Sequence, residues 1–459
     1  MAFLARSRRS SEFTVSQQRT AIRSREVDVT RARWLLMVMF ALLGITSSSW
    51  LARLPSVRAM LGLSPAALGS MLIVGAVGSL ATVTVTGYLV ARFGGRRVMT
   101  VSAVAFSSAY LIIGIGTAAP SVPLVAIGVF LMGASFALGN IPLNIETAAV
   151  QRRVGRAILP QFHAGFSIGA VLGSLFGAAM AALGITPLTQ FAWIAVLALV
   201  IRLYAIPQVI IESGARTPRM PVERAERPTR AAGIRDALGA WRERRTVLIG
   251  VVILSAALSE GAANNWLAIA VVDGFHRAEA VGGVVFGVFV GSMTLVRLLG
   301  TRLIDTYGRV SVLRVSGLVS LAGLLVFGIA PSFWLAGVGV VAWGLGAALA
   351  VPIGISAASD EPARAAARVS VVSSFSSIAS LSAPPLLGLL AQQIGVRHAL
   401  LLICLAMIAS ASVAGTVRPV RPAGRGAAAE PVPELVPSGP LVELATDCSE
   451  MFGDSTVRV

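Results

Sequence analysis

The chain contains no lysine and little charge of either sign. Charged residues fill 13% of 459 positions against 56% hydrophobic, and all 38 strongly basic residues are arginines. A soluble chain of ordinary composition carries about a quarter charged residues, so this balance excludes a water-borne fold and demands lipid. Cysteine is nearly absent: Cys404 lies in the last apolar run and Cys448 in the polar segment beyond it, which leaves no disulfide framework. Three scattered histidines and two distant cysteines offer no spaced metal site. Without lysine there is no G-x-x-x-x-G-K-[ST] phosphate loop, so ATP-driven transport in cis is not expected. No enzymatic constellation is visible, and neither a metal nor any other cofactor is expected.

What the chain does have is long apolar runs. A hydrocarbon core about 30 Å thick needs roughly 20 residues of helix. Twelve runs qualify, at 34–54, 67–90, 98–118, 122–146, 163–184, 190–211, 247–271, 281–303, 311–330, 333–355, 369–391 and 397–417. The expected fold is therefore an all-α membrane protein of twelve transmembrane helices. The run from Trp34 is too long for a signal-peptide core and is retained as the first span. With the N-terminus in the cytoplasm, about 32 of 38 arginines fall on that side, four outside (Arg53, Arg58, Arg277, Arg397) and two within spans (Arg202, Arg297). That asymmetry is the positive-inside pattern. The net charge of +17 therefore reports topology and not nucleic-acid binding.

The domains expected are a basic cytoplasmic tail over 1–33, six helices over 34–211, an Arg- and Pro-rich cytoplasmic linker over 212–246, six more helices over 247–417, and a disordered cytoplasmic tail over 418–459. The two sets of six carry matching features. Ser49-Trp50-Leu51-Ala52 recurs as Asn265-Trp266-Leu267-Ala268, Gly78-Ser79 as Gly291-Ser292, and Gly94 as Gly308, all about 214 residues apart. Such a parallel repeat builds pseudo-symmetric two-bundle transporters.

The loop "GYLVARFGGRR" from Gly87 to Arg97 resembles the signature of the major facilitator superfamily, approximately G-x-L-a-D-r-x-G-r-k-x. Gly87, Leu89, Arg92, Gly94 and Arg96 fit it, with Ala91 at the acidic position; the second copy keeps Asp305, Gly308 and Arg309. The resemblance implies two six-helix bundles around one cavity and a cytoplasmic charge network that breaks and remakes as the gate moves. The segments "SSSWLARLP", "NIPLNIE", "FHAGFSIGAVLG", "SEGAANNWLA" and "RLLGTRLIDTYGR" resemble the YbjJ-like branch of bacterial major facilitator proteins, which implies a sugar- or metabolite-type permease.

Ionisable groups inside spans are expensive and therefore candidates for function. Glu260 is the one acid at mid-span, with Asn264 a turn along the same face and Asn265 and Trp266 adjoining. It has two readings: a proton carrier, or a fixed pair with Arg297. Trp50 and Trp266 are candidates to stack on a ligand in the outer part of the cavity, or to serve as interfacial anchors. Asn140 and Asn144 flank Pro142, offering amides to a ligand or to a neighbouring helix. Glu146, at a cytoplasmic helix end, is expected to pair with Arg92 or Arg96. His163 is a second proton-coupling candidate, or a solvated interfacial group. Gly165, Gly169, Gly173 and Gly177 form a smooth stripe for close helix packing, and Pro384-Pro385 mark a bend.

These readings converge on a secondary transporter, monomeric and multi-pass in the cytoplasmic (inner) membrane. It moves a small polar molecule by alternating access, with protons as the candidate coupling ion. The rivals are proton-antiport efflux of toxic compounds and, in another class, a transporter-like sensor that binds without translocating.

Overall fold

The computed structural model describes residues 29–155, 158–211, 239–361 and 364–419. Among these, twelve helices are long and apolar enough to cross a membrane. They are α1 (Val29–Ala52), α2 (Pro65–Phe93), α3 (Gly95–Ala118), α4 (Val122–Val154), α5 (Gln161–Ala182), α6 (Pro187–Val209), α7 (Arg244–Phe275), α8 (Glu279–Tyr307), α9 (Arg309–Ile329), α10 (Phe333–Ala358), α11 (Ala367–Ile394) and α12 (Val396–Val417). A short helix, Leu54–Met60, follows α1. The helices α1 and α7 begin earlier than the apolar runs because each takes in flanking arginines. The expected basic tail before residue 29, most of the linker, the C-terminal tail and Cys448 lie outside the described residues.

Alternating crossings put residues 29 and 419 on the same side of the bundle, called here the tail side; the opposite is the far side. Two far-side turns, those before α2 and α6, are a hydroxyl cap followed by proline. Ser64 accepts the Ala67 N–H and Thr186 the Thr189 N–H, with Pro65 and Pro187 opening the helices. The tail-side turns after α2 and α8 use glycine. Gly94 and Gly308, the duplicated pair, adopt nearly the same left-handed conformation, φ 82° and ψ 150° against φ 75° and ψ 155°. Each closes one helix and opens the next, a conformation that a Cβ would strain. The internal repeat is thus conserved at the level of backbone torsion.

Lipid gives no hydrophobic drive between helices, so close packing of small residues holds them together. The glycine stripe of α5 lies on α1: a Cβ at Gly169 would strike the Ala41 carbonyl oxygen, and one at Gly173 that of Ile45. Within the second bundle, Gly344 of α10 abuts Phe289 of α8 in the same manner. Two further seams join the bundles. Along one, Gly283 and Gly287 of α8 meet Ala178 and Ser174 of α5; along the other, Gly69 of α2 meets Pro384 of α11 and Gly388 meets Pro65. Pro384 and Pro385, where a bend was expected, sit inside α11, which runs on past them as one helix, and Pro384 lies at the crossing with α2.

Backbone-to-backbone contact tolerates no added methyl groups, and overpacking costs about 1–3 kcal/mol or more. Gly169→Val is expected to lower the unfolding midpoint in detergent by several degrees or prevent folding. Gly87→Ala, with open space around it, should be neutral or slightly stabilising. Equal midpoints for the two variants would contradict this packing.

Candidate functional site

Proline at position 352 sets the geometry at mid-membrane. It has no N–H to give to the carbonyl four residues earlier, and α10 breaks there into Phe333–Ala347 and Ala350–Ala358. The carbonyl so released belongs to Ala348, and Arg297 of α8 donates Nε–H to it at 3.3 Å. The same guanidinium donates through Nη2 to Glu260 of α7 at 3.0 Å. Arg297 and Glu260 keep 31% and 28% exposure, so the pair faces accessible space rather than the bundle core. From the other bundle, His163 of α5 is exposed and sits edge-on to Phe40 at 5.6 Å. Three helices of the second bundle, α7, α8 and α10, thus converge on a single ionic centre. Of the two readings of Glu260, the ion pair with Arg297 is formed here.

Further toward the far side, a cavity of about 330 Å³ lies between the bundles. Trp50, Ser47, Tyr110, Asn265, Ser380 and Pro384 contribute to its walls. Trp50 packs on Phe191, ring centres 5.8 Å apart, which fixes its indole. Its duplicate does not follow. Trp266 is fully buried in the hydrophobic core, with no hydrogen-bond partner for its indole nitrogen, which corrects the expectation that it faces the cavity. The reason is helical phase: neighbouring residues are turned about 100° apart, so Asn265 reaches the cavity while Trp266 is turned into the core. Asn264 is half-buried. The amide of Asn144 donates to both the carbonyl and side-chain oxygens of Asn140 at the turn before it, so those two asparagines bind each other.

Charges close the far side. The Ser56 N–H donates to Glu279 at 2.9 Å and its hydroxyl to the other oxygen; Arg53 stands 3.7 Å from the same carboxylate, and Arg58 pairs with Asp273. Burial pulls the Arg53 guanidinium below its usual range, partly offset by Glu279. With Ser174 donating to the Gly283 carbonyl at 2.6 Å, every hydrogen bond and ion pair between the bundles among the described residues lies in the far half. The molecule is latched there.

On the tail side the ionic clusters stay within the second bundle. Asp360 binds Arg309 at 2.6 Å and Arg245 at 2.8 Å, while Glu243 binds Arg364 and Arg368, each at 2.6 Å. The acid partner of Arg309 is Asp360, while Asp305 is exposed without an ion pair among the described residues, which corrects its expected place in the charge network. Arg92 and Arg96 are likewise exposed and make no ion pair among the described residues, so the expected pairing of Glu146 with either is not formed; Glu146 is buried and accepts the Ile211 N–H at 2.7 Å. Sequence reading passed over Asp360, Glu243, Glu279 and Pro352; acids flanking spans in a chain with only 21 acids were the available signal.

Such an arrangement, twelve helices in two repeat-related bundles around a mid-depth ionic site, is an architecture on which secondary carriers are built. Residues 249–447 match the family model of the Major Facilitator Superfamily. The chain is 28% identical over 357 residues to an uncharacterized MFS-type transporter of Yersinia pestis, covering 77% of this chain and 87% of that one. It is 27% identical over 361 residues to an uncharacterized transporter of Sinorhizobium fredii, covering 78% and 90%. The fold is similar to that of the nucleoside transporter NupG, with a TM-score of 0.65 at 14% identity over 84% of this chain and 98% of that one. The second half of the chain thus matches the major facilitator superfamily, and the relatives it resembles along most of its length are transporters.

Burial raises the Asp360 carboxyl, but hydrogen bonds and charge from Arg309 and Arg245 outweigh it and hold the group below the usual carboxylate range. A carboxylate so depressed contributes stability above its unfolded pKa, near 4, and loses it as pH falls through the folded value. Asp360→Asn is expected to lower the unfolding midpoint by a few degrees at about pH 7, and the gap to close between about pH 5 and pH 3. A gap independent of pH would contradict the assignment.

Proposed function

We propose that this protein carries a small polar metabolite, sugar-like or similar, across the cytoplasmic membrane by alternating access, with proton coupling through Glu260. The tail side is the cytoplasmic side, in keeping with the arginine distribution, and the carrier works as a monomer. The narrower placement in the YbjJ-like branch rests on the five segments quoted above. One observation carries the coupling: the Glu260–Arg297 pair at 3.0 Å, mid-depth and nearly one-third exposed. A fixed structural pair needs no water contact, whereas a proton carrier must meet solvent.

Protonation would cancel the Glu260 charge and release Arg297, which keeps only the Ala348 carbonyl. Loss of the pair changes the charge at that depth, which links protonation to the relative position of the bundles. Trp50, Asn265 and Ser380 supply one aromatic face and several hydrogen-bonding groups, the mixture that polyhydroxylated or ring-bearing solutes need. The nucleoside transporter that shares this fold handles a solute of that general kind.

Thermal-shift screening of the purified protein against sugars, polyols, nucleosides and amino acids should find a stabilising ligand. In vesicles, Glu260→Gln is expected to keep exchange of that ligand at equal pH while losing accumulation driven by a pH gradient. Wild-type accumulation in the variant would remove Glu260 from coupling. Trp50→Ala is expected to weaken the ligand's binding roughly tenfold or more without altering the pH dependence.

A further inference from the structure

Arg202 is the second arginine inside a span, and nothing so far uses it. It sits on α6, seven residues from the tail-side end, and retains only 6% exposure. Its guanidinium lies over the Phe106 ring, 4.2 Å from the centroid. That contact covers one face of the cation and satisfies none of its N–H groups. Among the described residues no carboxylate comes within ion-pair distance, and Nη2 is buried with no hydrogen-bond partner. A neighbouring phenol, Tyr110, supplies no negative charge, because its hydroxyl is neutral and donates to the Thr46 carbonyl at 2.7 Å.

An isolated charge in a low-dielectric interior is strongly unfavourable unless a counter-charge comes with it. The chain does leave room for one. Arg202 lines a cavity of about 30 Å³ among α1, α3, α4 and α6, together with Ser102, Ser135, Phe106 and Phe136. Such a volume accepts one or two water-sized occupants. It is too small for an organic solute. The Ser102 hydroxyl now donates to the Ser135 carbonyl at 2.8 Å and can turn its proton toward an occupant. Ring edges carry partial positive charge, and two phenylalanines share this wall. Phe106 and Phe136 also border the larger cavity between the bundles, which gives an ion a way in.

We propose that Arg202 holds a small monovalent halide ion, chloride in the cell, in this cavity of the N-terminal bundle. Water could fill the same space but brings no charge, so it would leave the guanidinium uncompensated. The site serves the N-terminal bundle as a neutralising bound ion, where the C-terminal bundle uses Glu260 for Arg297. It is independent of proton coupling and of the identity of the transported solute.

The test uses the purified full-length chain in detergent. Sodium chloride replaces sodium sulfate at constant ionic strength while thermal unfolding is followed, and bromide is run in parallel. Wild-type protein is expected to show a midpoint that rises by several degrees and saturates with either halide, because an ion bound only by the folded state stabilises by mass action. Arg202→Met is expected to show no saturable halide response, with Arg297 and the far-side latch untouched. No saturable rise in the wild type, or an equal rise in Arg202→Met, overturns the proposal. Should Arg202→Met fail to fold, wild-type crystals grown in bromide decide instead. An anomalous peak within hydrogen-bonding distance of the Arg202 guanidinium supports the site, and no peak there refutes it.

Discussion

Hydrocarbon offers no hydrogen-bond partner, so each backbone N–H and C=O inside the membrane must be satisfied by the chain itself. Twelve helices meet that requirement almost everywhere. At Pro352 the ladder fails and the Ala348 carbonyl is left over, and Arg297 takes it. An arginine at that depth needs a counter-charge as well, and Glu260 provides it. The ionic centre of the carrier thus follows from one missing N–H and the need to satisfy what it exposes.

The remaining packing positions this centre between two bodies that can move. Within each bundle, glycines bring backbones into contact, as Gly169 does against Ala41 and Gly344 against Phe289, and such interfaces are rigid. Between bundles, the hydrogen bonds and ion pairs among the described residues lie in the far half, where small residues meet and polar groups of the short helix and the turn after α7 pair across the seam. Of these, the Arg58–Asp273 pair is partly exposed and worth about 0–1 kcal/mol, and the buried Arg53 stands 3.7 Å from Glu279, beyond hydrogen-bond reach. A latch of that strength can open when a solute or proton shifts the balance, whereas the glycine seams within a bundle stay shut.

Most of the architecture was legible in the sequence. Run length and the low share of charged residues pointed to twelve spans, and the 214-residue repeat identified Gly94 and Gly308, whose matching torsions bear it out. The charge network was less legible. A motif names residue types but not partners, so it could not show that Asp360, distant in sequence, is the acid that reaches Arg309. Repeat symmetry misled at Trp266: the copies share a sequence pattern, but a phase difference of one residue on α7 puts Asn265 in the cavity instead. Pro352 was readable in principle, since a proline always strands the carbonyl four residues earlier. Arg297 as its acceptor's partner depends on α8 packing against α10, which no local pattern reveals.

The proposed alternating access requires that opening of the far side and closing of the tail side be two ends of one rigid-body motion. Spin labels placed at Met60 and Ala278 on the far side, and separately at Tyr88 and Tyr307 on the tail side, report it directly by pulsed electron resonance distances in lipid. As pH or a stabilising solute is varied, the account predicts that the far-side distance lengthens in the same proportion of molecules in which the tail-side distance shortens. Distances that stay fixed on both sides, or that lengthen together, would contradict it.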